Sequence, residues 1–299
     1  MAVKIARNGD VELAYETFGA AGGEPLLLIM GLGQQMLLWP DAFCTALADA
    51  GFHVARFDNR DSGLSTSFAG PADSAGAQPW WRALLGGGAP AYSTVDFVED
   101  GLAVMDALGW ASAHLAGASM GSVIAQATAV LHPQRVRSLT AMMTMPASSS
   151  VAALRHLRFG PILTMIGRRY TPDREGQVQR LVDIFRLVAS PDGGFDEPWA
   201  REVAERSHDR RPFDPAAERR QLAAGRASKL TIDVSRIGVP TLIVYGENDP
   251  MVRPSGPKAL LRQVPGARLV TYPHMGHNLP PHVWAPLVEQ MSAQVRLGT

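Results

Sequence analysis

The serine at position 119 has a glycine two residues before it, Gly117, and another two residues after it, Gly121. A short apolar run typical of a buried strand precedes it, and apolar positions at helical spacing follow it. In a tight strand-to-helix turn, side chains at Gly117 or Gly121 would collide with the adjoining strand or helix. The pattern predicts a nucleophile elbow, which exposes the Ser119 hydroxyl and points the amide of Met120 at the same space, where an oxyanion could bind.

A nucleophilic serine needs a base and a group that orients the base, and the C-terminal third offers candidates for the orienting group. An apolar strand pattern that begins at Pro240 leads to Asp249, which we interpret as the acid. Glu247 is the alternative carboxylate. Because Asp249 precedes a proline, a simple turn is the competing interpretation of this residue.

Candidate bases follow the last predicted strand, where His274 and His277 lie close together. Gly276 lets the loop fold back over the sheet edge just before His277, so we predict His277 as the base in preference to His274. The remaining histidines have no such setting and are interpreted as solvated or core side chains. They are His53, His114, His132, His156, His208 and His282.

The chain order serine, aspartate, histidine resembles that of the α/β-hydrolase fold family, and the resemblance extends along nearly the whole sequence. An apolar strand enters a glycine-rich loop at Gly31, where that family keeps its oxyanion loop. The segment 57–65 is similar to the family's turn after the next strand. Met30 stands where the family usually has histidine, and Asp61 where it usually has glycine. Together with the serine-methionine-glycine elbow, these departures resemble the aclacinomycin methylesterase-like branch.

The resemblance implies a serine esterase that cleaves carboxylic esters of small to medium apolar molecules through an acyl-enzyme, with no cofactor and no metal. In this mechanism His277 takes the proton of Ser119 while Asp249 orients the imidazole. The amides of Met120 and Leu32 bind the oxyanion, Leu32 by analogy with the family's loop. The same residues would suit hydrolysis of C–C bonds, lactones or thioesters, or perhydrolysis. A small-molecule receptor with slow hydrolysis is the alternative from another class.

Strand and helix patterns alternate along the chain, which predicts a mostly parallel sheet with helices on both faces. A hairpin turn at residues 8–10 lies within an N-terminal strand pattern. The other predicted strands cover 11–18, 26–30, 53–57, 113–117, 139–143, 242–245 and 269–272. The predicted helices cover 41–50, 95–108, 120–131, 256–263 and 282–296.

Between about residues 145 and 235 the strands give way to four amphipathic helical stretches. We therefore predict an α/β-hydrolase core formed by residues 1–145 and 232–299, with an all-helical cap of residues 146–231 inserted after the sixth strand. In one stretch Thr171 is the predicted N-cap. Its predicted buried face consists of Val178, Leu181, Val182 and Phe185.

Apolar residues near the predicted strand ends point to an apolar substrate pocket. Met30, Gly31 and Met145 are predicted to line it, since methionines adapt to irregular apolar space, although ordinary core filling is the alternative. Trp80 and Trp81 lie in the long connection 66–94 and either line the pocket mouth or anchor the loop. The methionines in question are Met30, Met36, Met142, Met143, Met145 and Met165.

Charged residues elsewhere are interpreted as structural. We expect Asp58 and Arg60 to brace the turn beside the oxyanion loop, with Asp61 paired to Arg60. The arginine pairs at 168–169, 210–211 and 219–220 are expected to be solvated.

The composition limits the partners. The 28 basic and 28 acidic side chains cancel, so no net charge attracts nucleic acid or an anionic membrane. The single cysteine, Cys44, excludes an internal disulfide. There is no signal-sequence pattern, and no apolar run approaches the ~18 residues of a membrane span. We expect a cytoplasmic monomer or homodimer that acts on a small-molecule ester.

Overall fold

The computed structural model describes residues 2–68, 91–147, 154–161, 164, 168–192, 195–227 and 232–296. Within these ranges the chain forms one eight-stranded sheet. The strands are β1 (Lys4–Asn8), β2 (Val11–Phe18), β3 (Glu24–Ile29), β4 (Phe52–Phe57), β5 (Ala113–Ala118), β6 (Val136–Met142), β7 (Thr241–Gly246) and β8 (Arg268–Tyr272). Their order across the sheet is β1-β2-β4-β3-β5-β6-β7-β8.

The sheet is mixed but mostly parallel. β1 pairs antiparallel with β2, and β2 pairs antiparallel with β4, while every pairing from β4 through to β8 is parallel. The described helices are α1 (Asp41–Asp49), α2 (Thr94–Ala107), α3 (Met120–Leu131), α4 (Arg174–Val188), α5 (Glu197–Arg210), α6 (Pro215–Ala227), α7 (Ser255–Gln263) and α8 (Trp284–Val295). None of them combines the length and apolar character needed to cross a bilayer.

Both faces of the sheet are buried, as the continuous apolar strand patterns predict. Successive side chains of β3 point to opposite faces, so Leu27 and Ile29 belong to one apolar cluster and Leu26 and Leu28 to another. Side chains of α2, α3 and α7 complete the first cluster, and side chains of α1 and α8 complete the second. Each fully buried leucine stabilises this arrangement by about 1.5–3 kcal/mol. The predicted sheet with helices on both faces is confirmed.

A helical region follows β6, as predicted, and we call residues 146–231 the helical insert. Three of its helices, α4 to α6, lie within the described residues. The predicted buried face of α4 is confirmed, because its apolar side chains pack against Ala200, Val203 and Ala204 of α5. The division of the chain into a core and a separate cap domain stays a prediction.

The N-cap of α4 differs from the prediction. The helix begins at Arg174, and the carboxylate of Asp173 accepts the backbone N–H of Gly176 at 2.9 Å. Thr171 instead donates its hydroxyl to that same carboxylate at 2.6 Å. The prediction of Thr171 was wrong because Asp173 stands at the position from which a side-chain oxygen reaches the free amides of the first turn.

Candidate active site

Ser119 occupies a tight turn between the end of β5 and the start of α3, so the predicted strand–turn–helix setting is confirmed. Its backbone has φ 54° and ψ −118°, a conformation that non-glycine residues rarely adopt. A Cβ on Gly117 would fall on the backbone of Gly121, and a Cβ on Gly121 would fall on the carbonyl of Ile29 in β3. The close approach of β5, α3 and β3 thus requires both glycines and holds the serine in its strained conformation.

Asp249 and His277 meet at the same edge of the sheet, after β7 and β8. Nδ1 of His277 lies 2.8 Å from Oδ2 of Asp249. The other carboxylate oxygen of Asp249 accepts the backbone N–H groups of Met251 at 2.7 Å and Val252 at 2.8 Å. Only 2% of Asp249 is exposed, and these bonds compensate for the loss of water around its charge. The carboxylate is therefore fixed in position against the imidazole.

The two alternative residues lie apart from this pair. Glu247 is exposed, and its Oε1 accepts the hydroxyl of Thr271 at 2.9 Å. His274 is also exposed and has a φ of 57°. The structure brings together Asp249 and His277, the two residues that the sequence favours.

A cavity of about 310 Å³ lies beside the serine and the histidine. Both Ser119 and His277 border it, together with three residues of the glycine-rich loop, Met30, Gly31 and Leu32. Apolar side chains of the helical insert and of the segment before α8 form much of the remaining wall. They include Ile184, Phe185, Val188, Phe195, Trp199, Leu279 and Trp284.

The other predicted pocket residues are not among the described residues that line the cavity. Met145 is not among the lining residues, and its carbonyl accepts Nε2 of Gln126 at 3.1 Å. Met143 and Met251 contribute the methionine surface instead. Trp80 and Trp81, like Met165, fall outside the described residues.

The wall contains aromatic residues that the sequence reasoning missed. Trp39 lies at the end of the segment that follows the glycine-rich loop, and Trp199 lies in the first turn of α5. The position of Trp39 so soon after the predicted oxyanion loop is a signal that could have identified it. No comparable signal marks Trp199. It lies far along the sequence from Ser119 and the glycine-rich loop, so the sequence does not indicate that it reaches the same cavity.

The side chain of Met120 packs against the apolar core, and its backbone N–H is the first amide of α3. Leu32 lies in a turn closed by the N–H of Gln34, which donates to the carbonyl of Gly31 at 3.4 Å. Asn59 donates to the carbonyl of Met30 at 2.9 Å and so anchors the start of this loop. Within the described residues, no group of three or more His, Cys, Asp or Glu side chains could hold a metal ion.

The turn after β4 is braced differently from the prediction. Arg60 pairs with Asp100 of α2, through Nε to Oδ2 at 2.6 Å and Nη2 to Oδ1 at 2.7 Å. The expected pair of Arg60 with Asp61 was wrong, because Arg220 of α6 binds both carboxylate oxygens of Asp61 at 2.8 and 2.9 Å. Two-point contacts of this kind fix orientation as well as distance.

Two arginines of the insert, Arg210 and Arg220, were expected to be solvated but form ion pairs with the turn after β4. Arg210 of α5 donates to Oδ2 of Asp58 at 2.7 Å, and the carboxylate of Asp58 is completely buried. Only 6% of Arg220 is exposed. The helical insert thus contacts the turn after β4 through two charged pairs, Asp58 with Arg210 and Asp61 with Arg220.

Glu218 of α6 brings a carboxyl group to the cavity wall. Burial raises the pKa of Glu218, and the positive charges of Arg180 and Arg219 oppose that rise without cancelling it. The neutral acid is therefore favoured at this position more than in water.

Glu218→Gln is expected to raise the Tm at about pH 8 and to leave it nearly unchanged at about pH 4. When folding raises the pKa of a carboxyl group, the free energy of unfolding falls as the pH rises. The fall begins at about pH 4.3, the usual pKa of glutamate, and ends at the pKa in the folded state. Glutamine has no charge to bury. Calorimetry at both pH values measures the difference, with Glu202→Gln on the exposed face of α5 as the control. A gain that shrinks as the pH rises would show that the arginines outweigh burial.

Known proteins resemble this chain in sequence over its whole length. Residues 24–170 match the family model of the α/β-hydrolase fold, and residues 213–282 match that of the TAP-like proteins. A rhodomycin D methylesterase of Streptomyces peucetius is 30% identical over 317 residues, which cover 100% of both chains. A rhodomycin D methylesterase of Streptomyces sp. strain C5 is 30% identical over 322 residues, again with 100% of both chains covered.

A solved structure shows the same fold. The enol-lactonase of Burkholderia xenovorans LB400 has a TM-score of 0.70 and 20% identity, with 98% of this chain and 100% of that chain covered. At this identity the likeness concerns the fold alone, whereas the full-length matches in sequence show the family. The chain belongs to the α/β-hydrolase fold family, in the aclacinomycin methylesterase-like branch that also contains the rhodomycin D methylesterases.

Proposed function

We propose that this protein is a serine esterase that cleaves carboxylic esters of small to medium apolar molecules. The observation that carries the proposal is that Ser119 and His277 border one apolar cavity, while Asp249 lies within hydrogen-bond distance of His277. Ser119 is the nucleophile, His277 the general base and acid, and Asp249 the orienting acid. These are the roles that acyl transfer to water requires.

The hydrogen bond to Asp249 determines which nitrogen of His277 does the chemistry. Because Nδ1 faces the carboxylate, Nδ1 carries the proton and Nε2 is the nitrogen that accepts the proton of Ser119. Oγ of Ser119 attacks the ester carbonyl, and the tetrahedral intermediate expels the alcohol as the imidazolium returns its proton to the alcohol oxygen. Water then attacks the acyl-enzyme while His277 takes its proton; the bond between the acyl carbon and Oγ of Ser119 breaks, His277 returns the proton to Oγ, and the carboxylic acid leaves.

The negative charge that develops on the carbonyl oxygen needs donors that are already in place. We assign this role to the backbone N–H groups of Met120 and Leu32, the first amide of α3 and an amide of the glycine-rich loop. Loss of one such donor typically costs about 10²–10³ in kcat. The start of α3 adds the partial positive charge of a helix N-terminus.

Methyl esters are the substrates to test first, since the full-length relatives are named methylesterases. The cavity volume of about 310 Å³ lies at the lower end of the range for sites that hold drug-sized ligands. Its aromatic and aliphatic walls suit an apolar acid part, with the small alcohol leaving from the reacting carbon.

We also propose that the helical insert acts as a cap, so that residues 146–231 cover a core formed by residues 1–145 and 232–299. Side chains of α4 and α5 supply part of the cavity wall. The backbone N–H of His277 donates to the backbone carbonyl of Val188, the last residue of α4, at 2.7 Å. The insert therefore contacts the segment that holds the proposed base.

A panel of methyl and p-nitrophenyl esters with increasing acyl length tests the proposal. We expect many turnovers per protein molecule. Each added methylene should raise kcat/KM by up to roughly fourfold, which corresponds to about 0.8 kcal/mol of transition-state binding, until the cavity is full. Release that stops after about one equivalent of nitrophenol would instead indicate a receptor with a slow acyl-enzyme. A flat response to acyl length would contradict the role of the apolar cavity.

A further inference from the structure

Gln221 of α6 connects the helical insert to the glycine-rich loop. Its Oε1 accepts the backbone N–H of Gly33 at 2.8 Å, while its Nε2 donates to the carbonyl of Arg60 at 2.8 Å and to Oγ of Ser62 at 3.0 Å. Only 1% of Gln221 is exposed. Both ends of the buried amide are thus satisfied, and its orientation is fixed because a flipped amide would place a donor against Gly33 N–H and an acceptor against the Arg60 carbonyl.

The bond to Gly33 acts directly beside Leu32. The N–H of Gly33 belongs to the peptide group that leaves Leu32, so holding it restricts the rotation of that peptide. The peptide group that enters Leu32 contains the carbonyl of Gly31, which accepts the N–H of Gln34. Both peptide groups next to Leu32 are therefore held, one by Gln221 and the other by a turn that depends on the position of Gly33.

We propose that Gln221 is a positioning residue that sets the direction of the Leu32 amide, so that the oxyanion site is complete only when the helical insert is docked. The inference rests on the proposed function, since it gives Gln221 a role through the oxyanion donor Leu32. Gln221 itself does not touch the reacting atoms. Two neighbouring contacts support the docking of the helical insert here: Arg220 of α6 binds Asp61, and Arg210 of α5 binds Asp58.

The test replaces Gln221 with methionine, which has a similar length and no hydrogen-bonding amide. We expect kcat to fall about tenfold to a hundredfold, since the donor is displaced rather than deleted, while KM stays within about twofold. The affinity for an aryl trifluoromethyl ketone, which forms a tetrahedral adduct with a nucleophilic serine, should fall by the same factor as kcat/KM.

Gln294→Met is the matched control. Gln294 of α8 is 2% exposed, and its amide also makes three hydrogen bonds, donating to the carbonyls of Leu139 and Pro240 and accepting the hydroxyl of Thr140. It lies outside the residues that border the cavity. We expect both variants to lose stability, whereas only Gln221→Met loses kcat and affinity for the ketone. Equal losses of kcat in the two variants would overturn the proposal.

Gln221→Glu separates the bond to Gly33 from the other two, because a carboxylate oxygen can still accept that N–H but cannot donate to Arg60 or Ser62. We expect it to retain more kcat than Gln221→Met, and an equally slow variant would contradict the role of the Gly33 bond. A rise in KM with unchanged kcat would assign Gln221 to substrate binding and also overturn the proposal. If the parent protein itself turns over none of the methyl and p-nitrophenyl esters of the panel, the proposed function fails rather than the role of Gln221.

Discussion

Ser119→Ala is expected to fold normally and to lower kcat by at least about four orders of magnitude, because no other group can form the acyl intermediate. Alanine and serine have the same Cβ, so the substitution adds no strain to the turn at φ 54°. Steady-state kinetics on the best ester of the panel measures the loss. Thermal unfolding shows whether the fold is retained, and a fluorophosphonate probe should label the parent but not the variant.

Ser122→Ala provides the control for this experiment. Ser122 lies three residues further along, in the first turn of α3, and is fully buried. Its Oγ accepts Nε2 of Gln126 at 3.3 Å. This change removes one hydroxyl from the same turn without touching the proposed nucleophile, so activity should stay within a few-fold of the parent. Ser119→Ala activity within tenfold of the parent would contradict the serine mechanism.

The sequence predicts the sheet and the elbow because both depend on local patterns. Apolar runs of strand length indicate the strands. The two glycines around Ser119 indicate a tight turn, because larger side chains would collide there, and this inference needs no knowledge of the fold. Parallel strands place their carboxyl ends at one sheet edge, so residues after β5, β7 and β8 are expected to come together there. The contact between Asp249 and His277 follows from this topology.

The contacts of the helical insert could not be predicted in the same way. Asp61 and Arg220 are 159 residues apart, and Asp58 and Arg210 are 152 residues apart. The sequence shows the charges but not which of them meet, and exposed arginines on amphipathic helices are the common case. The nearest opposite charge in the sequence therefore suggested Arg60 for Asp61. In the folded chain Asp61 instead pairs with Arg220 of the insert, and Arg60 pairs with Asp100.

Two other parts of the chain, the turn after β4 and the helical insert, hold the proposed oxyanion loop. Its start is held by Asn59 from the turn after β4, and Met36 after the loop donates its N–H to Asp58 at 2.7 Å. The middle of the loop is held by Gln221 from the insert. Asp58 also binds Arg210, so the residue that anchors the end of the loop is itself paired with the insert. Loop geometry and insert docking are thereby coupled through short, buried contacts.

Asp249→Asn is expected to lower kcat by about 10⁴, because the asparagine amide reverses the hydrogen bond to His277. Oδ1 of the asparagine can still accept the N–H groups of Met251 and Val252, so Nδ2 then faces the imidazole. Because the amide is a donor, it favours the tautomer of His277 in which Nδ1 is unprotonated and Nε2 carries the ring proton. The nitrogen that must accept the serine proton is then already protonated, and steady-state kinetics should show a loss in kcat with little change in KM.

Glu247→Gln is the matched comparison, since it also exchanges one carboxylate for an amide in the same loop. Glu247 is exposed, and the bond that its Oε1 accepts from Thr271 is available to glutamine as well. Its kcat should therefore stay within about twofold of the parent. If Glu247→Gln were the slow variant and Asp249→Asn the mild one, the orienting acid would have to be reassigned to Glu247. That result would also require a different conformation of the loop after β7, because Asp249 is the carboxylate within 2.8 Å of the imidazole.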